Sequence, residues 1–163
     1  MRALALLLLL AACTAEPVPV GPPVETLADG RAGRIAFATR APYDFPEMRG
    51  DAPEEVIAGR LLLPEGEGPV RGAALLSHGA GGTGSRQERM AEWLVERGVA
   101  AFVIDHFGPR GIGSTVRDQL RATEQTMVAD LYAARDLLAT HPRIPGGRIG
   151  VIGWSKGGTT AVL

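Results

Sequence analysis

The sequence predicts an α/β domain, a mostly parallel sheet with helices on both faces, and three observations predict it. Apolar runs recur at 72–77, 99–104 and 149–152, each of strand length and apolar enough to be covered on both sides. The segments between them repeat apolar residues every three or four positions, the period of an amphipathic helix. Glycine-rich turns follow the runs, at 78–84, 108–111 and 153–158. Strands that alternate with helices in this way form parallel sheets, whose strands need crossover connections.

At 163 residues the chain is the size of one domain or part of one. The formal net charge is −1, with no run of like charge. That balance excludes the electrostatic footprint of nucleic-acid and acidic-membrane binders. Nothing in the residue pattern calls for a cofactor or a metal.

Residues 1–12 read as a leader. Arg2 gives a positive start and Ala3–Ala12 an apolar run too short for a stable membrane span. Its end, Leu10-Ala11-Ala12-Cys13, resembles the lipobox of bacterial lipoprotein signal peptides. The resemblance implies cleavage before Cys13, lipid on its sulfur, and residence in the bacterial cell envelope, anchored and periplasm-facing. The other reading is an ordinary secretory signal cut after Ala15. Cys13 is the one cysteine of the chain, so no intrachain disulfide is available. Residues 13–33 follow as a tether, where Pro17, Pro19, Pro22 and Pro23 favour extended backbone over packing.

The domain then runs from 34 to 163. Arg34–Thr39 alternates large and small residues as an edge strand does, and Val56–Leu63 is a second strand stopped by Pro64. With no helix between them, the two are expected to pair antiparallel. Gly72–Ser77 is a central strand feeding the loop His78–Gly84. Ser85 with Glu88 reads as a capping box, opening a helix whose face is Met90, Trp93 and Leu94 and which stops at Gly98. Val99–Ile104 is the next buried strand, ending in Asp105. A glycine loop leads to a long helix from Thr123 to Thr140, with Met127, Leu131, Ala134 and Leu138 inward.

The last stretch carries chemistry. After the apolar run Ile149–Ile152, expected to be buried on both faces, the chain reads Gly153-Trp154-Ser155-Lys156-Gly157. A G-x-S-x-G between a strand and a helix is the pattern of a nucleophile elbow. The turn strains the serine backbone, the glycines avoid collision, and the hydroxyl stands at a helix N-terminus. A phosphate-binding loop fails here, because Ser155 and Gly157 occupy the places of its glycine and its Ser/Thr.

Gly79, Gly81 and Gly84 also satisfy G-x-G-x-x-G, with Asp105 closing the next strand, as in a dinucleotide-binding fold. Against that stand a helix start placed after Gly84, two strands ahead of the loop, and a serine elbow left without a use. Used together, the two loops suit acyl transfer, one giving a nucleophile and the other backbone N–H groups for an oxyanion.

From Val56 onward the chain resembles the dienelactone hydrolase family of α/β-hydrolases. The resemblance rests on His78-Gly79-Ala80-Gly81-Gly82, Asp105-His-Phe-Gly-Pro-Arg-Gly111, the Asp130–Pro142 helix end and Arg148–Gly158. It implies Ser155 as nucleophile, the N–H groups of Ala80 and Lys156 as oxyanion donors, and a small-molecule ester as substrate. The family's namesakes carry a cysteine at the elbow, so an ester is expected rather than the dienelactone. The family places its acid and histidine after the nucleophile. Only eight residues follow Ser155 here, and none is acidic or a histidine. The expectation is therefore an α/β-hydrolase truncated after the elbow, with weak turnover and an unpaired apolar edge at its last strand. A non-catalytic envelope binding module on the same scaffold is the alternative from another class.

Of the remaining polar residues, His106 and Arg110 are candidates for substrate contact. His78 is expected to bond loop backbone, His141 to act locally at a helix end, Asp105 to line the site or cap a turn, and Asp130 to lie at the surface or between loops.

Overall fold

The computed structural model describes residues 16–163, so the leader, Cys13 and the site after Ala15 lie outside the described residues. Strands β1 (Gly33–Arg40), β2 (Glu54–Leu62), β3 (Ala73–Ser77), β4 (Ala100–Asp105) and β5 (Ile149–Gly153) form one sheet in the order β1-β2-β4-β3-β5. The short connection between β1 and β2, which holds only the single turn α1 (Phe45–Met48), leaves them antiparallel. Helices α2 (Ser85–Val95) and α3 (Glu124–Ala139) carry the chain between the parallel strands β3, β4 and β5. Helix α4 (Lys156–Thr160) follows β5.

The side-chain alternation of the central strands explains why helices cover both faces. Leu75, Phe102 and Ile104 point to one side, where they pack with Phe37, Ile57 and the α3 residues Leu131, Ala134 and Leu138. Leu76, Ala101 and Val103 point to the other, against Ala91 and Leu94 of α2. Helix α3 starts where expected, because the Thr123 hydroxyl accepts the Thr126 N–H at 3.2 Å.

Four expectations change. Helix α2 is capped by Gly84 rather than Ser85, and Gln87 rather than Glu88 reaches back to the cap N–H, at 3.1 Å. Glu88 instead pairs with Arg60 of β2. The inward face of α2 is Gln87, Ala91 and Leu94, while Trp93 is 50% exposed beneath the Arg97 guanidinium. Third, β5 lies at the sheet edge as expected, but Val151 is partly exposed, so the strand is not buried on both faces.

Fourth, the segment expected to be a tether is docked. The Val18 N–H donates to Gly108 O, Val24 N–H to Ala36 O and Leu27 N–H to Thr140 Oγ1, all within 2.9 Å. Leu27 is fully buried in the main core and Val24 packs against it. At Val24 the segment meets the outer edge of β1, satisfying the Ala36 carbonyl there. Burying Leu27 contributes about 2 kcal/mol toward docking. Among the described residues, no helix is long and apolar enough to cross a membrane.

Candidate active site

Ser155 sits between β5 and α4 with φ 51° and ψ −120°, the one non-glycine residue at positive φ among those described. Its neighbours allow that turn only because they lack side chains. A Cβ on Gly153 would lie 2.0 Å from Gly157 O, and one on Gly157 would lie 2.4 Å from Ser77 O and 2.5 Å from His78 O. Strand end, turn and helix start thus touch backbone to backbone, which is what the sequence spacing demanded. The Ser155 side chain is exposed.

The loop after β3 lies against this turn. A Cβ on Gly79 would come within 3.2 Å of Ser155 Cβ and 3.8 Å of its Oγ, so a bare backbone approaches the serine. His78 sets the loop's orientation. The His106 N–H donates to His78 Nε2 at 3.2 Å, which leaves the proton on Nδ1, and Nδ1–H donates to Gly79 O at 2.8 Å. Burial, reinforced by the neighbouring His106, pushes the His78 imidazole down to about 4, so it is neutral at pH 7. Gly79 C=O and Ala80 N–H belong to one planar trans peptide and point opposite ways. With the carbonyl held inward by His78 and by the Gly82 N–H, the Ala80 N–H is turned away from them. Among the described residues neither the Ala80 nor the Lys156 N–H has an acceptor.

Ala80 and Ser155 line one cleft of about 540 Å³, together with Gly81–Gly84, Arg86, Arg89, Val116 and Trp154. A smaller, more apolar groove of about 440 Å³ beside Ala38, Met48 and Tyr132 is walled by other elements and does not include Ser155. Among the described residues, no three His, Cys, Asp or Glu side chains are grouped as metal ligands. The G-x-G-x-x-G loop also fails the dinucleotide geometry, since Gly84 is extended and precedes α2 instead of packing in its first turn.

His106 and Arg110, expected at the substrate, are held inside the protein instead. His106 is fully buried, its Nδ1 2.8 Å from Asp130 Oδ2 and its Nε2 3.0 Å from Ser77 Oγ. Arg110 forks onto both Asp130 oxygens at 2.7 and 2.9 Å, donates to His106 O and also pairs with Glu55. Asp130 is not a surface group: it is fully buried and accepts from Thr39 as well. Burial works to raise its carboxyl, but the Arg110 guanidinium and the hydrogen bonds from Arg110 and His106 hold it below the usual carboxylate range. Desolvation likewise works to lower Arg110, and the carboxylates of Asp130 and Glu55 outweigh it and raise it. An ionised Asp130 accepts a proton-bearing Nδ1 from His106, and the Ser77 hydroxyl lies at hydrogen-bond distance from Nε2. This Ser77–His106–Asp130 chain is triad-like in its bonding, yet Ser77 is fully buried and out of reach of a substrate.

His141 is buried and local, its Nδ1 accepting the Arg143 N–H. Asp105 caps a turn by accepting from the N–H groups of Phe107 and Gly108. None of the three histidines is exposed toward Ser155, as all are buried. The Lys156 side chain was not expected to matter. It is 97% covered, and Nζ donates to Gln119 O at 2.8 Å and Gln119 Oε1 at 3.2 Å. A lysine inside a G-x-S-x-G, where the elbow presses its neighbours inward, was the available signal.

A family model described as serine aminopeptidase, S33, matches residues 68–163. No curated protein matches the chain significantly. Among solved structures, a dienelactone hydrolase from Anabaena variabilis aligns with TM-score 0.53 and 24% identity, over 80% of this chain and 56% of that one. A dienelactone hydrolase-like promiscuous phosphotriesterase from metagenomic libraries aligns with TM-score 0.55 and 20% identity, over 80% and 53%. A cold-adapted esterase from an Arctic intertidal metagenomic library gives 0.52 and 23%, over 79% and 53%. At these identities the likeness is one of fold. The chain spans about half the length of these structures.

Proposed function

Because the chain belongs to the serine aminopeptidase S33 family and has the α/β-hydrolase fold of the dienelactone hydrolases, we propose that it is built for serine-based acyl hydrolysis, with Ser155 as nucleophile. The observation that carries the proposal is the backbone of Ser155, strained at φ 51° and holding an exposed hydroxyl against the Gly79 loop. In the proposed reaction Ser155 Oγ attacks a carbonyl carbon, and the negative charge that gathers on the carbonyl oxygen is received by the Ala80 and Lys156 N–H groups. Among the described residues both groups lack other acceptors, and each such donor is typically worth about 3 kcal/mol of transition-state stabilisation.

The substrate we assign is a small carboxylic ester. Ester and peptide cleavage pass through the same tetrahedral oxyanion, so the elbow serves either, but an ester has the better leaving group for a serine alcohol. A base oriented by an acid completes such a site in the family's order, after the nucleophile. His78, His106 and His141 are all buried and do not supply it. We also assign Cys13 as a lipidation site that holds the domain at the bacterial envelope. Incorporation of a labelled fatty acid in wild type but not in Cys13→Ala tests the anchor.

The test of the nucleophile is a fluorophosphonate probe with mass-spectrometric mapping, with and without added imidazole as an external base. Label is expected on Ser155, faster with imidazole and absent in Ser155→Ala. Label no greater on Ser155 than on exposed Ser85 or Ser114 overturns the proposal and leaves a binding module on the hydrolase scaffold.

A further inference from the structure

The loop between β4 and α3 is tied at both of its ends to the two expected oxyanion donors. At one end the Thr115 N–H and Ser114 Oγ–H donate to Ala80 O at 2.8 and 3.0 Å. At the other the Lys156 ammonium grips Gln119 twice, with Glu124 Oε1 3.7 Å away. Between these anchors the loop extends Val116, 65% exposed, into the lining of the Ser155 cleft. The ties form a closed ring: Ala80, its carbonyl, the loop, Gln119, the Lys156 side chain, and the backbone of Lys156 beside Ser155.

A buried ammonium is costly unless its donors are met. The position follows an elbow serine, where an apolar residue would fill the same space without that cost. A buried lysine at this position is accounted for if the charge does a job that packing cannot, which is to hold the Gln119 backbone carbonyl, in a loop of short 3-10 turns, in one place. We propose that the Lys156 side chain is a positioning residue, which by holding Gln119 fixes the 112–121 loop and so sets the spacing of the Ala80 and Lys156 donors and the Val116 wall of the cleft. The part concerning the donors rests on Ser155 being the nucleophile. The part concerning the loop does not.

The experiment compares wild type, Lys156→Met and Lys156→Arg in the full chain. Met keeps the length and loses the ammonium, while Arg keeps charge and donors. Two rates are read: tryptic cleavage after the exposed Arg117, and fluorophosphonate labelling of Ser155 in imidazole. Lys156→Met is expected to cleave at least about tenfold faster at Arg117 and to label at least about tenfold more slowly, at temperatures where its melting shows the domain folded. Lys156→Arg is expected to recover part of both. Should Lys156→Met not fold, Ser114→Ala cuts the other end of the ring at an exposed side chain. Loss of that one hydrogen bond is expected to slow labelling about threefold to tenfold with melting unchanged. Rates within twofold of wild type in folded Lys156→Met, or in Ser114→Ala if that variant has to stand in, overturn the proposal. An unreactive wild-type Ser155 overturns the hydrolase reading and the donor half with it, and the loop half is then decided by cleavage at Arg117 alone.

Discussion

Replacing Ser155 by glycine should make the protein more stable while removing its expected nucleophile. A non-glycine residue at φ 51° and ψ −120° carries a backbone strain of about 1–3 kcal/mol. Glycine relieves it but adds about 0.5–1 kcal/mol of unfolded-chain freedom. The net expected gain is about 1 kcal/mol. Ser155→Ala separates the two effects, since alanine keeps the Cβ and therefore the strain, and loses only an exposed hydroxyl. The assay is urea unfolding of the three proteins. With a slope of about 2 kcal/mol per molar, glycine should move the midpoint up by about 0.5 M relative to alanine, with the slope unchanged. The corresponding rise in melting temperature is about 2–4 °C. A glycine variant no more stable than the alanine variant, at equal slope, would show that the turn is relaxed and that the strain argument for the elbow is wrong.

The same contacts give three more expectations. Gly157→Ala puts a methyl group 2.4 Å from a backbone oxygen that has nowhere to move, and should cost about 3 kcal/mol or more, read as a loss of cooperative unfolding by circular dichroism. Asp130→Asn leaves the Arg110 guanidinium buried against a neutral amide and should cost about 3 kcal/mol in urea; a variant within 0.5 kcal/mol, roughly the scatter of surface substitutions, contradicts the network. Stability should also fall as pH drops from about 6.5 to about 4, because the unfolded chain protonates His78 at its ordinary value while the folded one does not until about 4. That difference is about 3 kcal/mol, fully present above the upper value and lost at the lower one. His78→Gln, which cannot titrate, should flatten this part of the pH profile; an unchanged slope assigns the effect to other groups.

Which parts of this were open to reading from the chain depends on the range of the interaction involved. The sheet's interior strands, the start of α3 at Thr123, the antiparallel start and the elbow glycines were all legible, because each depends on residues a few positions apart. The G-x-S-x-G is the clearest case, since the need for bare backbone at 153 and 157 follows from the turn itself. The α2 cap was misplaced by one residue because serine and glycine both serve there, and only the Gln87 contact distinguishes them.

What the chain could not reveal is who meets whom across the fold. Leu27 looks like part of a proline-rich spacer until Thr140, 113 positions away, accepts its N–H. His106, Arg110 and Asp130 look like separate loop and helix residues until the fold brings the loop after β4 against α3, where burial makes pairing obligatory. Sequence by itself determined the layered α/β architecture and the strained serine turn, since periodicity and steric limits are local. Tertiary structure alone decided which polar groups are buried partners and which line the cleft, because a side chain's electrostatic environment is set by neighbours distant in the chain.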